Sequence, residues 1–202
     1  ANLSAEDKEK LKKYNEQIAT LTTKFSKTLL DANNAGAVTF TNKEDLAGLS
    51  DDVLKSIEDE HGKSWTISLL NTTQQPLLKS MDNRASREKL FKAAFHRADH
   101  GAHDTSDIIK ELVSIRAQKA KLLGFENYAE WSLQKTMAQS SKNINEFFNG
   151  LIPAATAKAQ KEAAEIQKMI KAQGEDFTLE PWDWNYYAEM VRKQKYDLDE
   201  SQ

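Results

Sequence analysis

A chain of 202 residues with a net charge of −3, no cysteine and a mean hydropathy of −0.70 is long enough for one domain or for one lobe of something larger. The charge balance disfavours nucleic acid as a partner, the missing thiols exclude disulfides and thiolate metal sites, and no apolar run approaches the ~20 residues that span a bilayer. The polar composition has two readings: amphipathic surface helices, or a piece that leans on neighbours outside these residues. Ala1 to Asp7 shows no basic or apolar export-signal region. A cysteine-free chain fits the periplasm as well as the cytoplasm, and the cytoplasm is the expectation.

Seven glycines and three prolines leave long uninterrupted stretches, which points to helices. Leu11, Tyr14, Ile18, Leu21, Phe25 and Leu29 recur in steps of three and four, predicting a first helix from Ser4 to Ala32 that Asn33-Asn34-Ala35-Gly36 ends. Its lysines alternate with acids, as on a solvated face. Val38-Thr39-Phe40 is β-prone and Trp65-Thr66-Ile67-Ser68-Leu69 alternates with period two, so the two pair as a small ribbon. Between them Ser50 caps a helix, with Asp51 and Asp52 at its positive end and Gly62 closing it. Pro76 suits the first turn of a short helix through Met81. Asn83 caps the next, with Leu90, Phe91, Ala94, Phe95 and Ala98 as its apolar face and Gly101 as its stop.

Asp104, Thr105 or Ser106 then opens a helix carrying Ile108, Ile109, Leu112, Val113, Arg116 and Ala120 in register, and Gly124 before Phe125 is the sequence form of a Schellman stop. Asn127 caps a helix with Tyr128, Trp131 and Met137; a long helix follows from Ser141 to Gln173 around Pro153, closed by Gly174; Asp183 caps a last one through Gln194. No repeat and no domain boundary interrupts the series. The expectation is a mostly α fold: a single helical segment over 1–202, a multi-helix lobe of long antiparallel helices with one small two-stranded β element.

Several clusters invite chemistry. His96, His100 and His103 with Asp99 and Asp104 could ligate a metal, yet Gly101 breaks the helix among them, so solvated helix-end histidines are the expectation. Asp197-Leu198-Asp199-Glu200-Ser201 resembles the opening of a calcium loop, which an acidic helix exit explains equally. Trp182, Trp184, Tyr186 and Tyr187 anchor the entrance of the last helix or line one wall of a peptide channel, the anchor being expected. Arg84, Arg87 and Arg97 could bind a peptide carboxylate, with salt bridges to Glu88 or Glu111 as the default. Asn2 and Asn71 begin glycosylation sequons, relevant only in a secreted eukaryotic protein. Glycine-rich phosphate loops and serine nucleophile elbows are missing.

Three blocks together resemble the thimet-oligopeptidase family of zinc metallopeptidases, closest to bacterial peptidyl-dipeptidase and oligopeptidase A. The first is Asn83-Arg84-Ala85-Ser86-Arg87-Glu88-Lys89-Leu90-Phe91, continuing to Arg97. The second runs from Asp107-Ile108-Ile109 through Arg116 and Ala120 to Leu122-Leu123-Gly124-Phe125-Glu126-Asn127-Tyr128-Ala129, then Met137-Ala138. The third is Trp182-Asp183-Trp184-Asn185-Tyr186-Tyr187 with Tyr196-Asp197-Leu198-Asp199-Glu200. The resemblance implies an almost wholly helical, two-lobed zinc enzyme whose deep channel admits short peptides.

Catalysis in that family uses an H-E-x-x-H helix and a later Glu, in which two histidines one turn apart hold zinc and the intervening Glu takes a proton from its water. Here His61, His96, His100 and His103 are followed by Gly, Arg, Gly and Asp. No catalytic and no metal residue is therefore assigned to this chain, and no substrate-binding residue is identified.

The leading expectation is a fragment of a zinc metallopeptidase of the peptidyl-dipeptidase or oligopeptidase type, contributing the channel wall opposite the zinc and inactive alone. Zinc, short peptides and the remaining catalytic lobe would then be the cofactor and partners of the full-length parent. The fragment itself would lack zinc, avoid nucleic acid and membrane, and dimerise through the apolar surface its neighbours normally cover. The alternative is a stand-alone helical module that binds peptides or a protein without turnover. A third reading makes it a free-standing metal protein using His96, His100 and His103.

Overall fold

The computed structural model describes residues 3–196. Among them are eight α-helices and a two-stranded antiparallel sheet, the mostly α architecture that the periodicity predicts. The chain forms two compact units, each assembled from two stretches of sequence: Ala1–Asp31 with Ala98–Thr156, and Ala32–Arg97 with Ala157–Gln202.

In the first unit, helix α1 (Ala5–Ala35, whose last residues pass into the second unit) lays Tyr14, Ile18, Leu21 and Phe25 on Ile108, Leu112 and Ile115 of α5 (Ser106–Leu122). Both sets follow the 3.6-residue period. Polar contacts flank the seam: Tyr14 donates to Gln118 at 3.3 Å and Lys119 to Asn15 at 2.7 Å. Helix α5 ends where Gly124, at φ +84°, lets the Gly124 and Phe125 amides reach back to Lys121 and Ala120, the bond pair of a Schellman turn. Asn127 then caps α6 (Tyr128–Leu133) by accepting from the Glu130 amide. Arg116 and Lys119 of α5 sit over the rings of Tyr128 and Trp131. Helix α6 stops before Met137, which is 99% exposed and not on the expected helical face.

In the second unit, strands β1 (Val38–Phe40) and β2 (Trp65–Ile67) pair with Val38 opposite Ile67 and Phe40 opposite Trp65. Their inner faces are buried among Leu46, Leu54, Leu69, Leu78, Met81 and Leu90, while Thr39 and Thr66 share a hydroxyl hydrogen bond of 2.9 Å on the outer face. Ser50 caps α2 (Asp51–Ile57) as expected, but Gly62 does not close it. The helix ends at Ile57 because Asp59 gathers the His61 and Lys63 amides and the Ser64 hydroxyl into a separate turn that feeds β2. Helix α3 (Asn71–Leu77) starts five residues before Pro76 rather than at it.

Asn83 caps α4 (Arg84–Phe95), accepting from the Ser86 amide, and α4 stops short of Ala98. Helix α7 (Ser141–Ala172), whose first part lies in the first unit, contributes Ile166 and Ile170 to a core with Tyr187 of α8 (Pro181–Tyr196). The α8 entrance differs from expectation. Pro181 takes the first helical position and Asp183 the third, its carboxylate accepting from the Glu180 amide at 3.2 Å, so Asp183 supplies the inner half of a capping box while its own amide donates to the Glu180 carbonyl.

Candidate functional site

A buried polar cluster lies in the second unit where α4 meets the start of α8. Asp183 is fully buried. Arg84 grips its carboxylate in a fork, Nε to Oδ1 at 3.0 Å and Nη2 to Oδ2 at 2.9 Å, and Arg87 Nη2 adds 3.2 Å to Oδ1. Hydrogen bonding to Asp183 holds the Arg84 guanidinium above its ordinary pKa. Arg87, 1% exposed, spends Nη1 on the carbonyls of Met81 and Asp82 at 2.8 and 3.0 Å.

Aromatic rings enclose the ions: Arg84 lies 4.0 Å from the Phe177 centroid and Arg87 4.1 Å from that of Tyr186. The Tyr186 hydroxyl donates to Asp82 at 2.9 Å, and burial, helped by that carboxylate, pushes its pKa up to about 12. Trp182 tilts against Phe91 at 6.2 Å, and Tyr187 packs on Phe177 at 6.1 Å. The cluster is therefore an anchor, as the anchor reading of Trp182, Trp184, Tyr186 and Tyr187 expects. It joins α4 to α8 through an ion triad whose carboxylate accepts from Arg84, Arg87 and the Glu180 amide, while the buried Arg87 Nε has no hydrogen-bond partner among the described residues.

Salt bridges do occupy two of the three arginines, but to Asp183 rather than to Glu88 or Glu111. Glu88 pairs instead with Lys92 one turn along α4. A surface pair one helical turn apart is easy to read from sequence, whereas Asp183 lies 96 residues beyond Arg87 and carries no local signal. Arg97 is the exception. Its Nη1 donates to the Leu69 carbonyl at 3.4 Å and to Asn71 Oδ1 at 3.3 Å. Nε and Nη2 have no hydrogen-bond partner among the described residues.

Arg97 borders a cavity of about 380 Å³ that Gln74, Leu78, Phe91, Phe95 and Asn185 also line. Phe91 and Phe95 stack at 5.8 Å with 13° between their planes, one helical turn apart, and Phe95 is 70% exposed. Gln74 is 4% exposed, yet among the described residues its side-chain amide makes no hydrogen bond. Sequence reading did not find this residue, since an isolated Gln in a short polar helix gives no sign of burial. A second hollow of about 250 Å³ lies between α7 and α8. Its charges satisfy one another, with Lys195 on Glu165 at 2.6 Å and Lys158 on Glu162 at 3.2 Å.

The histidines do not assemble a zinc centre of the peptidase kind. His61 lies exposed in the turn before β2, His96 is exposed at the α4 C-cap, His100 sits beside Asp99 with Nδ1 2.5 Å from Oδ1, and His103 closes a 3₁₀ turn begun at Gly101. His96 belongs to the second unit and Asp99, His100 and His103 to the first. Among the described residues no two of the four stand one turn apart within one helix with a Glu between them, so they do not form the H-E-x-x-H arrangement and no catalytic step is derived through them. The acidic run Asp197 to Glu200 and the Asn2 sequon lie outside the described residues; Asn71 begins α3.

Comparison with known proteins bears on the whole chain. The profile of peptidase family M3 matches residues 77–202. The chain is 45% identical over 208 aligned positions to the dipeptidyl carboxypeptidase of Escherichia coli, covering 100% of this chain and 30% of that protein. It is 30% identical over 207 positions to oligopeptidase A of Salmonella typhimurium, covering 96% and 30%. To the mitochondrial intermediate peptidase of Vanderwaltozyma polyspora it is 31% identical over 164 positions, covering 76% and 20%. The chain thus spans under a third of the length of these relatives.

Proposed function

Because the chain belongs to peptidase family M3, we propose that it is a non-catalytic, N-terminal lobe portion of a zinc metallopeptidase that hydrolyses short peptides, and that it forms the channel wall opposite the zinc. The observation that carries this reading is the pairing of whole-chain similarity to dipeptidyl carboxypeptidase with the lack of an H-E-x-x-H sequence in these 202 residues. The zinc and its chemistry then belong to the remaining catalytic lobe of the parent. The present residues shape access and hold their helices through the Arg84–Arg87–Asp183 triad. A cytoplasmic setting is part of the same proposal. No helix among the described residues is long and apolar enough to cross a membrane.

Two measurements test it. The isolated chain should leave a fluorogenic short peptide intact with zinc supplied; chelator-sensitive hydrolysis would end the claim of inactivity. A hybrid in which this chain replaces the matching segment of the E. coli dipeptidyl carboxypeptidase should hydrolyse peptides, and a photoreactive substrate should label residues of this chain. Labelling confined to the rest of the hybrid would remove the channel-wall role.

A further inference from the structure

Three features make the cavity beside Arg97 a built site rather than a surface dimple. The guanidinium makes two long contacts through Nη1 alone, at 3.4 Å to the Leu69 carbonyl and 3.3 Å to Asn71 Oδ1, which leaves the rest of its planar fork without a hydrogen-bond partner among the described residues. The Gln74 amide, on a residue only 4% exposed, borders the space without a protein partner among the described residues. The amide atoms keep access to solvent at the cavity, so they are open to a hydrogen bond from a bound ligand. The stacked pair Phe91 and Phe95 supplies a flat apolar wall, and the exposure of Phe95 leaves that wall open to solvent. Arg84 and Arg87 offer nothing comparable, because Arg84 is held in a fork on Asp183 and Arg87 is only 1% exposed.

We propose that this cavity binds a carboxylate carried on an apolar group, with the carboxylate on the free edge of Arg97, the apolar group against Phe91 and Phe95, and a neighbouring polar group on Gln74. Two sources present that chemistry: the C-terminal residue of a peptide and a small free organic acid. The volume of about 380 Å³ accommodates one such residue or molecule and not a folded partner. The site is a property of this chain's own surface. It holds whether or not the chain lines a channel, and binding without turnover distinguishes its failure from failure of the function proposed above.

Calorimetric titration of the 202-residue chain with N-acetylphenylalanine, its primary amide and phenylacetate tests it. The expected result is saturable 1:1 binding of the acids, with the amide weaker by about tenfold or more, since charge-assisted hydrogen bonds to Arg97 are lost. N-acetylphenylalanine binding more tightly than phenylacetate assigns the site to peptide ends, and equal binding assigns it to free acids; both support the proposal. Arg97→Gln should weaken the acids by about tenfold, and Arg97→Lys should recover only part of that because it lacks the fork. Phe95→Ala, at a residue whose exposure makes it safe for folding, should weaken acids and amide together. Circular dichroism checks each variant. Failure of the acids to bind, equal affinity for acid and amide, or acid affinity untouched by both Phe95→Ala and a folded Arg97 variant would each overturn the proposal.

Discussion

Replacing Asp183 by alanine leaves the Arg87 guanidinium, 1% exposed, with two carbonyls and no counter-charge. Removing one partner of a buried ion pair typically costs about 3–5 kcal/mol. Urea unfolding of Asp183→Ala should therefore show a large fall in midpoint, whereas Glu88→Gln, which breaks only a surface pair with Lys92, should change stability by less than about 1 kcal/mol. Tyr186 makes a pH prediction of definite sign. Its folded pKa is raised to about 12, above that of an unfolded tyrosine, so the phenol contributes stability that is intact below about pH 10 and is lost as pH rises toward 12. Burial also raises the Tyr187 phenol, so an ultraviolet ionisation titration should show two late-titrating phenols, one of which disappears in Tyr186→Phe. A full set of phenols titrating together near 10 would contradict the burial.

Elements were legible where their chemistry is local. The caps at Ser50, Asn83 and Asn127, the strand pair, and the Schellman stop at Gly124 each need only a handful of adjacent residues, and each is found. What sequence could not supply is pairing across distance. Asp183 meeting Arg84 and Arg87, Asp82 receiving Tyr186, and Gln74 sinking beneath the cavity all depend on which helices meet. Misplaced boundaries have the same origin in competition: the Asp59 side chain takes over the turn assigned to Gly62. Two glycines separate local from distant constraint. Gly124 has a positive φ and open space around an added Cβ, so Gly124→Ala should cost about 1 kcal/mol, the backbone term alone. At Gly48, also left-handed, a Cβ would come within 2.0 Å of the Ser80 carbonyl. Thermal melts of the two variants should therefore show Gly48→Ala destabilising the chain considerably more than Gly124→Ala.

For the whole molecule, the exposed face of α7 carries a prediction about association. Phe147, Phe148, Leu151 and Ile152 are 65, 47, 48 and 54% exposed and recur at helical spacing. A contiguous apolar face of this kind is a surface that neighbours normally cover. Within the proposed parent those neighbours are the rest of the enzyme; in the isolated chain a second copy should serve. Light scattering should give twice the 22.9 kDa chain mass, reverting to the single mass in a Phe147→Lys, Leu151→Lys double variant. A strict monomer at high concentration would sink the self-association.

The way the two units are threaded has a practical outcome. The backbone stretch before Arg97 supplies Leu21 to one core and Arg84 with Arg87 to another, and the stretch after it supplies Ile108, Leu112 and Ile115 to the first and Asp183 to the second. A protease nick between residues 97 and 98 would thus release two halves that still grip each other at two independent places. Each grip raises the effective concentration of the other, so the halves, separately produced and mixed, should reconstitute the fold as a split protein, with a disrupted grip at either place slowing but not abolishing reassembly.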